Sequence, residues 1–170
     1  MLSILTVFFA CVLVLRIFLF GIEIRGSSMD HTLYNSQIVV VHRTKEVAKG
    51  DIVIIEPPER MDNYFTGDLI VKRIVATQGD SFYVENNVFY LKEAGASDYA
   101  VVKEPYVSSA TPDISPVTLQ DGEIYCLGDN RNVSKDSSEV GPFSVSDVKG
   151  VVLPSLLEES ILKTILLILL

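Results

Sequence analysis

Residues 23 to 153 are a series of short runs rich in Val, Ile, Tyr and Phe, which constrains the fold more than any other feature. QIVVVHR, DIVIIE, LIVKRIVAT, SFYVENNVFYLK, EIYCLG and VVL have the length and the branched or aromatic content of strands. Gly-Asp or Asp-Gly steps at 50–51, 67–68, 79–80, 121–122 and 128–129 separate them, each a strong turn signal. In FYVENNVFYL the Asn86-Asn87 pair stands where a two-residue hairpin would turn. No amphipathic helical period is present in this region. Residues 93–120 carry three prolines and several serines, and predict an irregular insertion with at most one edge strand. The expectation is a mainly β body of antiparallel sheets over 23–153.

The ends differ from the body. Residues 2–22, LSILTVFFACVLVLRIFLFGI, hold one charge, Arg16, and are long enough for a hydrocarbon core of about 30 Å. A removable secretory peptide would begin with a basic residue and end at a small-x-small site. Neither is found, so residues 1–22 predict one uncleaved transmembrane helix, with Arg16 snorkelling to the interface. The tail, 154–170, ends in ILKTILLILL, too short to span alone; it predicts an interfacial helix or a truncated second span. The net charge of −8 offers no basic stripe for nucleic acid and no polybasic patch for anionic lipid. Cys11 lies in the anchor and Cys126 in the body, so no bridge is expected and Cys126 reads as a small buried apolar residue. No metal and no cofactor are expected.

Chemistry enters with GSSMDHTL at 26–33. A serine needs a base within hydrogen-bond reach to become a nucleophile. Of the two histidines, His31 is three residues from Ser28 with Asp30 between them, and neighbours this close cannot align as a triad. His31 is better read as a solvated turn residue and His42 as a strand-surface residue. The other available base is a lysine neutralised by burial. Lys72 lies within GDLIVKRIVAT, and strand neighbours face opposite ways, so Lys72 points inward if Arg73 meets water. A snorkelling edge-strand lysine fits that stretch equally well. Turn formation alone would explain GDNRNVSKDSSEVGPFS at 128–144, yet Asp129, Arg131 and Asp136 would also suit one charge-assisted network.

Together these stretches resemble a family. GSSMDHTL resembles the S-M-x-P-T-L box of type I signal peptidases, and IVKRIVATQGD their K-R-(I/V)-x-G-x-P-G-D box. GDNRNVSKDSS resembles their G-D-N-R-x-x-S-x-D-S-R box, and GDIVII at 50–55 a further family strand. Order and spacing fit over about residues 20–150. The resemblance implies a membrane-anchored, extracytoplasmic serine endopeptidase of signal-peptidase-like β fold. Such an enzyme removes signal peptides from exported preproteins after a small-x-small motif, using a Ser-Lys dyad. Carried over by position, Ser28 is the nucleophile and Lys72 the general base, with the Ser28 N–H helping to form the oxyanion hole. Ser134 would orient Lys72, and Asp129, Arg131 and Asp136 would support the site. Met29 would line the substrate cleft. Gly26 falls where some members carry a serine donor; its lack of a side chain resembles the shorter Gram-positive-like members and removes that donor here.

The implied partners are preprotein signal peptides and the lipid bilayer, with pilin precursors a candidate because divergent members serve surface-fibre assembly. The chain departs from the family pattern at His31 for proline, Ala76 and Gln78 for glycine and proline, and Ser138 for the last arginine. Those departures keep open an assembly factor or pilin chaperone with weak or no proteolysis; the retained Ser28 and Lys72 oppose it. A soluble self-cleaving Ser-Lys repressor has a related β fold, but an anchor rather than DNA-binding helices precedes this body. The positive-charge count is nearly empty before the anchor and gains Arg25 just after it, against an outside body; the family topology is preferred over so few charges. Met61, Tyr64 and Phe65 in ERMDNYFTGD form a loop that would either dip into the membrane interface or pack on the body.

Overall fold

The computed structural model describes residues 2–61, 63, 65 and 69–153 of the 170-residue chain. A helix, α1 (Leu2–Phe18), passes directly into a strand, β1 (Leu19–Glu23). The apolar N-terminal run is therefore divided rather than being one helix over 1–22. Its last residues are drawn into the body because Phe20 and Ile22 pack on a core cluster and 19–23 pair with residues 42–38. The 17 residues left to α1 extend roughly 26 Å at about 1.5 Å per residue. Among the described residues no helix is long and apolar enough to cross a membrane. Val7, Phe9, Leu13, Val14, Ile17 and Phe18 of α1 are nonetheless each more than half exposed.

The body is two antiparallel sheets, as expected. The larger contains β1, β2 (Ile38–His42), β3 (Ile52–Ile55), β4 (Ile70–Thr77), β9 (Glu123–Leu127), β10 (Phe143–Ser144) and β11 (Val148–Val152). Its order is β1-β2-β11-β3-β4-β9-β10. The smaller contains β5 (Ser81–Glu85), β6 (Val88–Lys92), β7 (Ala100–Val102) and β8 (Ile114–Thr118), ordered β7-β6-β5-β8. Asn86 and Asn87 join β5 to β6 with φ of 51° and 64°, the two positive angles that a type I′ hairpin turn requires. The insertion supplies two strands, β7 and β8, where at most one was expected. Both are edges of the small sheet, and Pro116 is tolerated in β8 because an edge strand has a side without ladder bonds. One further departure is α2 (Ser137–Val140), a single turn capped by Asp136.

A bulge in β4, where the register with β9 shifts between Ile74 and Ala76, lets one strand serve separate cores. Ile74 joins Val53, Ile55, Cys126 and Phe143 in one cluster, while Val75 and Ala76 join Phe82, Phe89 and Tyr125 in a second. The Phe82 ring meets Tyr125 edge-on at 4.6 Å and locks the small sheet to the large one. A third cluster gathers Ile24, Met29, Leu33, Val39, Val41, Ile54 and Val71 under the start of β4. Cys126 is buried and free, as its sequence context suggested. Met61 and Phe65 are buried in the first cluster, so they do not form an exposed interfacial loop. Tyr64 and the apolar tail 154–170 lie outside the described residues.

Candidate active site

Ser28 sits on a tight turn directly after β1. Asp30 N donates to Ser27 O, and both Thr32 N and Leu33 N donate to Met29 O. The turn is pinned from below by Met29, 1% exposed, and Leu33, both in the third core cluster. Met29 is thus a core anchor and does not line the cleft, because the turn directs its side chain into the sheet. His31 has a φ of 76°, a left-handed conformation that the proline ring forbids. The departure at this position is therefore part of the turn's geometry, not a loosened version of a proline turn. Gly26, with φ of 86°, is exposed and donates its N–H to Asn35 Oδ1 at 2.9 Å.

β4 brings Lys72 to this turn. Lys72 is 4% exposed; its Nζ lies 2.8 Å from Ser28 Oγ and donates to Val71 O at 3.0 Å. Burial lowers its pKa to about 8, outweighing the pull of the Asp136 and Asp129 carboxylates toward the charged form. The lysine therefore points inward, and of the two readings open in its sequence the snorkelling one is excluded. Arg73 faces the other way but is largely covered rather than free in water. Its Nε and Nη2 fork onto Asp129 Oδ1 and Oδ2 at 2.8 and 2.6 Å, and its Nη1 donates to Gly50 O. Asp129 Oδ2 also accepts from Thr32 Oγ1, so the strand next to Lys72 is tied to the turn that carries Ser28.

The loop after β9 grips the same turn. Asn130 donates from its backbone to Ser28 O and from its side chain to Ser27 O. Asp136 Oδ2 accepts from Gly128 N, and its Oδ1 caps α2. Arg131 reaches away, donating to Gly128 O and to Glu104 and Thr111 of the insertion. Among the described residues Asp129, Arg131 and Asp136 therefore do not bond one another directly. Successive turn residues project in different directions, and each of the three anchors a different element. Ser134 Oγ is buried with no hydrogen-bond partner among the described residues. No bond from it to Lys72 is present. Gly128 allows the close approach: a Cβ there would lie 2.5 Å from both Ser134 Cβ and the Ser28 carbonyl oxygen.

Ser28 and Lys72 open on a groove of about 650 Å³, lined mainly by apolar side chains, among them Ile22, Ile24, Leu69 and Val71. Two backbone edges face it. β1 is the terminal strand of its sheet, and residues 70–72 of β4 pair with β3 only, β9 taking over at Arg73. Gly26 and Met29 are not among the lining residues. Among the described residues no group of three or more His, Cys, Asp or Glu is arranged to hold a metal. Sequence reasoning missed Arg73, Thr32 and Asn130 as site anchors. For Arg73 the signal was its place beside the inward lysine, and for Asn130 its place in the GDNR stretch. Nothing in the sequence pointed to Glu104, Tyr106 or Thr111.

Comparison with known proteins places the site in a family context. The family model described as signal peptidase, peptidase S26, matches residues 1–156. A signal peptidase I of Bacillus licheniformis is 32% identical over 141 residues, 74% of this chain and 69% of that protein. Signal peptidase I P of Bacillus subtilis subsp. natto is 30% identical over 155 residues, 81% of this chain and 77% of that protein. The crystal structure of a signal peptidase I from Enterococcus faecalis superposes with a TM-score of 0.51 at 22% identity, covering 64% of this chain and 97% of that one, a likeness of fold.

Proposed function

The chain belongs to the signal peptidase family, peptidase S26, and on that premise we propose that it removes signal peptides with Ser28 as nucleophile and Lys72 as general base. The observation that carries this assignment is the 2.8 Å approach of Lys72 Nζ to Ser28 Oγ, in surroundings that lower the lysine pKa to about 8. Roughly a tenth of the lysines are then neutral at pH 7, against fewer than one in a thousand for an exposed lysine. The neutral amine takes the Ser28 proton as Oγ bonds to the scissile carbonyl carbon and the carbonyl electron pair moves onto oxygen. The Lys72 ammonium then gives the proton to the leaving amide nitrogen as the C–N bond breaks, leaving an ester on Ser28. Water attacks that ester in the same way, with Lys72 taking its proton and returning it to Oγ.

The backbone N–H of Ser28 serves the developing oxyanion, a donor of a kind worth ~3 kcal/mol. Gly26 contributes no side-chain donor. Ser134, packed beside Gly128, is read with Asp129, Arg131 and Asp136 as part of the loop that backs the Ser28 turn. The substrate lies as an extended strand against the open edges of β1 and β4, with small side chains on either side of one outward residue. Helix α1 (Leu2–Phe18) is read as the membrane attachment, supported by its exposed apolar side chains, with the body from β1 onward outside the cytoplasm. A preprotein arriving at the bilayer then meets the groove at high effective concentration.

The test is cleavage of a model preprotein, and of pilin precursors beside it, by the detergent-solubilised full chain and by Ser28→Ala and Lys72→Ala. Cleavage after a small-x-small site that both substitutions abolish is expected. Full cleavage by Lys72→Ala would remove the lysine from the mechanism.

A further inference from the structure

The insertion, which the proposed function leaves idle, reaches the back of the site through three side chains. Tyr106 lays its ring against the Arg73 guanidinium, 4.0 Å from Cζ to the ring centroid. Its hydroxyl donates to Glu104 Oε1 at 3.0 Å. Glu104 in turn accepts both ends of the Arg131 fork, at 2.6 and 3.1 Å, and Thr111 Oγ1 accepts from Arg131 Nη1 at 2.5 Å. Arg73 and Arg131 are thus held from the insertion side, while their other donors hold Asp129, Gly50 and Gly128. The Arg131 side chain is 2% exposed and that of Glu104 10%, so this is an interior contact.

We propose that Tyr106, with Glu104, is a positioning residue for the cleavage reaction: the insertion closes a clamp over Arg73 and Arg131 that fixes the Ser28 turn against Lys72. The proposal rests on the Ser-Lys reading of the site. Its physical basis is that, among the described residues, Arg73 is the one β4 side chain bonded to Asp129, and Asp129 joins Thr32 of the nucleophile turn. Once its guanidinium is committed to Asp129 and Gly50, only its flat face remains open, and Tyr106 covers that face. Without the ring, water reaches the fork and competes for its bonds, so the ion pair weakens by screening as well as by lost contact. The looser Asp129 then frees Thr32, and Ser28 Oγ samples positions away from Nζ. An ångström of such misplacement lowers the rate of the chemical step without touching the groove that binds substrate. A turnover effect with unchanged substrate binding is therefore the signature.

The test uses the full chain in detergent and compares Tyr106→Leu with Tyr106→Phe, which keeps the ring and loses only the hydroxyl. Hydrogen exchange is followed in segments 27–35 and 128–133, whose amides hold the Ser28 turn, and in β5–β6 as an internal reference. Tyr106→Leu is expected to speed exchange at least tenfold in the first two segments and to leave β5–β6 unchanged, with Tyr106→Phe restoring most of the protection. Preprotein cleavage by Tyr106→Leu is expected to lose about tenfold in kcat with KM within twofold. Unchanged exchange at the turn overturns the clamp. Exchange that rises in β5–β6 as much as at the turn makes Tyr106 a stability residue and also overturns it. If the parent protein cleaves no preprotein, the Ser-Lys reading fails by itself, and the exchange comparison still decides whether the insertion holds the turn.

Discussion

Replacing Lys72 by methionine should make the protein more stable at neutral pH while ending its activity. The fall in the Lys72 pKa from 10.5 to about 8 is a cost of burying the ammonium, since each factor of ten in the proton equilibrium is about 1.4 kcal/mol. At pH 7 the cost is therefore roughly 3 kcal/mol. Methionine has nearly the same length, so it fills the site without opening a cavity. It loses the bonds to Ser28 Oγ and Val71 O, together about 1 kcal/mol net. A gain of roughly 2 kcal/mol remains, which for a domain of this size raises Tm by about 4–8 °C. The pH dependence follows from the sign of the shift. Between pH 8 and 10.5 the unfolded chain holds the lysine proton and the folded one does not, so parent stability rises with pH across that window. The advantage of Lys72→Met should be full below about pH 8 and gone above about 10.5. Urea unfolding followed by far-UV circular dichroism, at pH 7 and pH 10 in the same detergent, measures the full advantage and the loss of most of it. A Lys72→Met protein less stable than the parent at pH 7, or one whose advantage does not change with pH, would refute the view that Lys72 is a strained buried base.

Gly128→Ala should drive a Cβ into Ser134 and the Ser28 carbonyl, costing about 1–3 kcal/mol in a denaturation experiment and at least tenfold in kcat. His31→Pro should destabilise by about 1–3 kcal/mol because its ring cannot reach a φ of 76°, whereas His31→Gly should be neutral or gain up to about 1 kcal/mol; thermal melts compare the pair. Arg73→Lys keeps the charge but loses the fork and the ring contact, and should lose about tenfold in kcat with little change in KM, read from initial rates of preprotein cleavage.

The parts of the fold that were legible in the sequence were those written locally. Val, Ile and aromatic runs marked β2 to β6, β9 and β11, and Asn86-Asn87 marked its own turn because only residues at ease with positive φ stand there. β7 and β8 were not legible because their strand character comes from docking on the edges of a hairpin, and Pro116 argued against it. The end of α1 was hidden for the opposite reason: LFGIE is as apolar as the helix before it, and only its pairing with β2 makes it a strand. At the site, Lys72 and Ser28 were found by chemistry and by family pattern. Met29 was misplaced because a turn residue beside a nucleophile can face the groove or the core, and which it does depends on the sheet beneath. Strand alternation put Arg73 on the face opposite Lys72, with water as the condition for an inward lysine. Alternation gave its side correctly, but the loop bearing Asp129 and the ring of Tyr106 cover that side, and both arrive from far along the chain.

The central claim is that a neutral, buried Lys72 activates Ser28. It is tested most directly by titrating the Lys72 side chain, through the 13C resonance of its Cε, beside the pH dependence of kcat/KM for preprotein cleavage. Both should follow one curve with a midpoint near 8, the rate falling about tenfold for each pH unit well below it. A Lys72 that titrates near 10.5, or a rate whose acid limb lies away from the Lys72 midpoint, would contradict it.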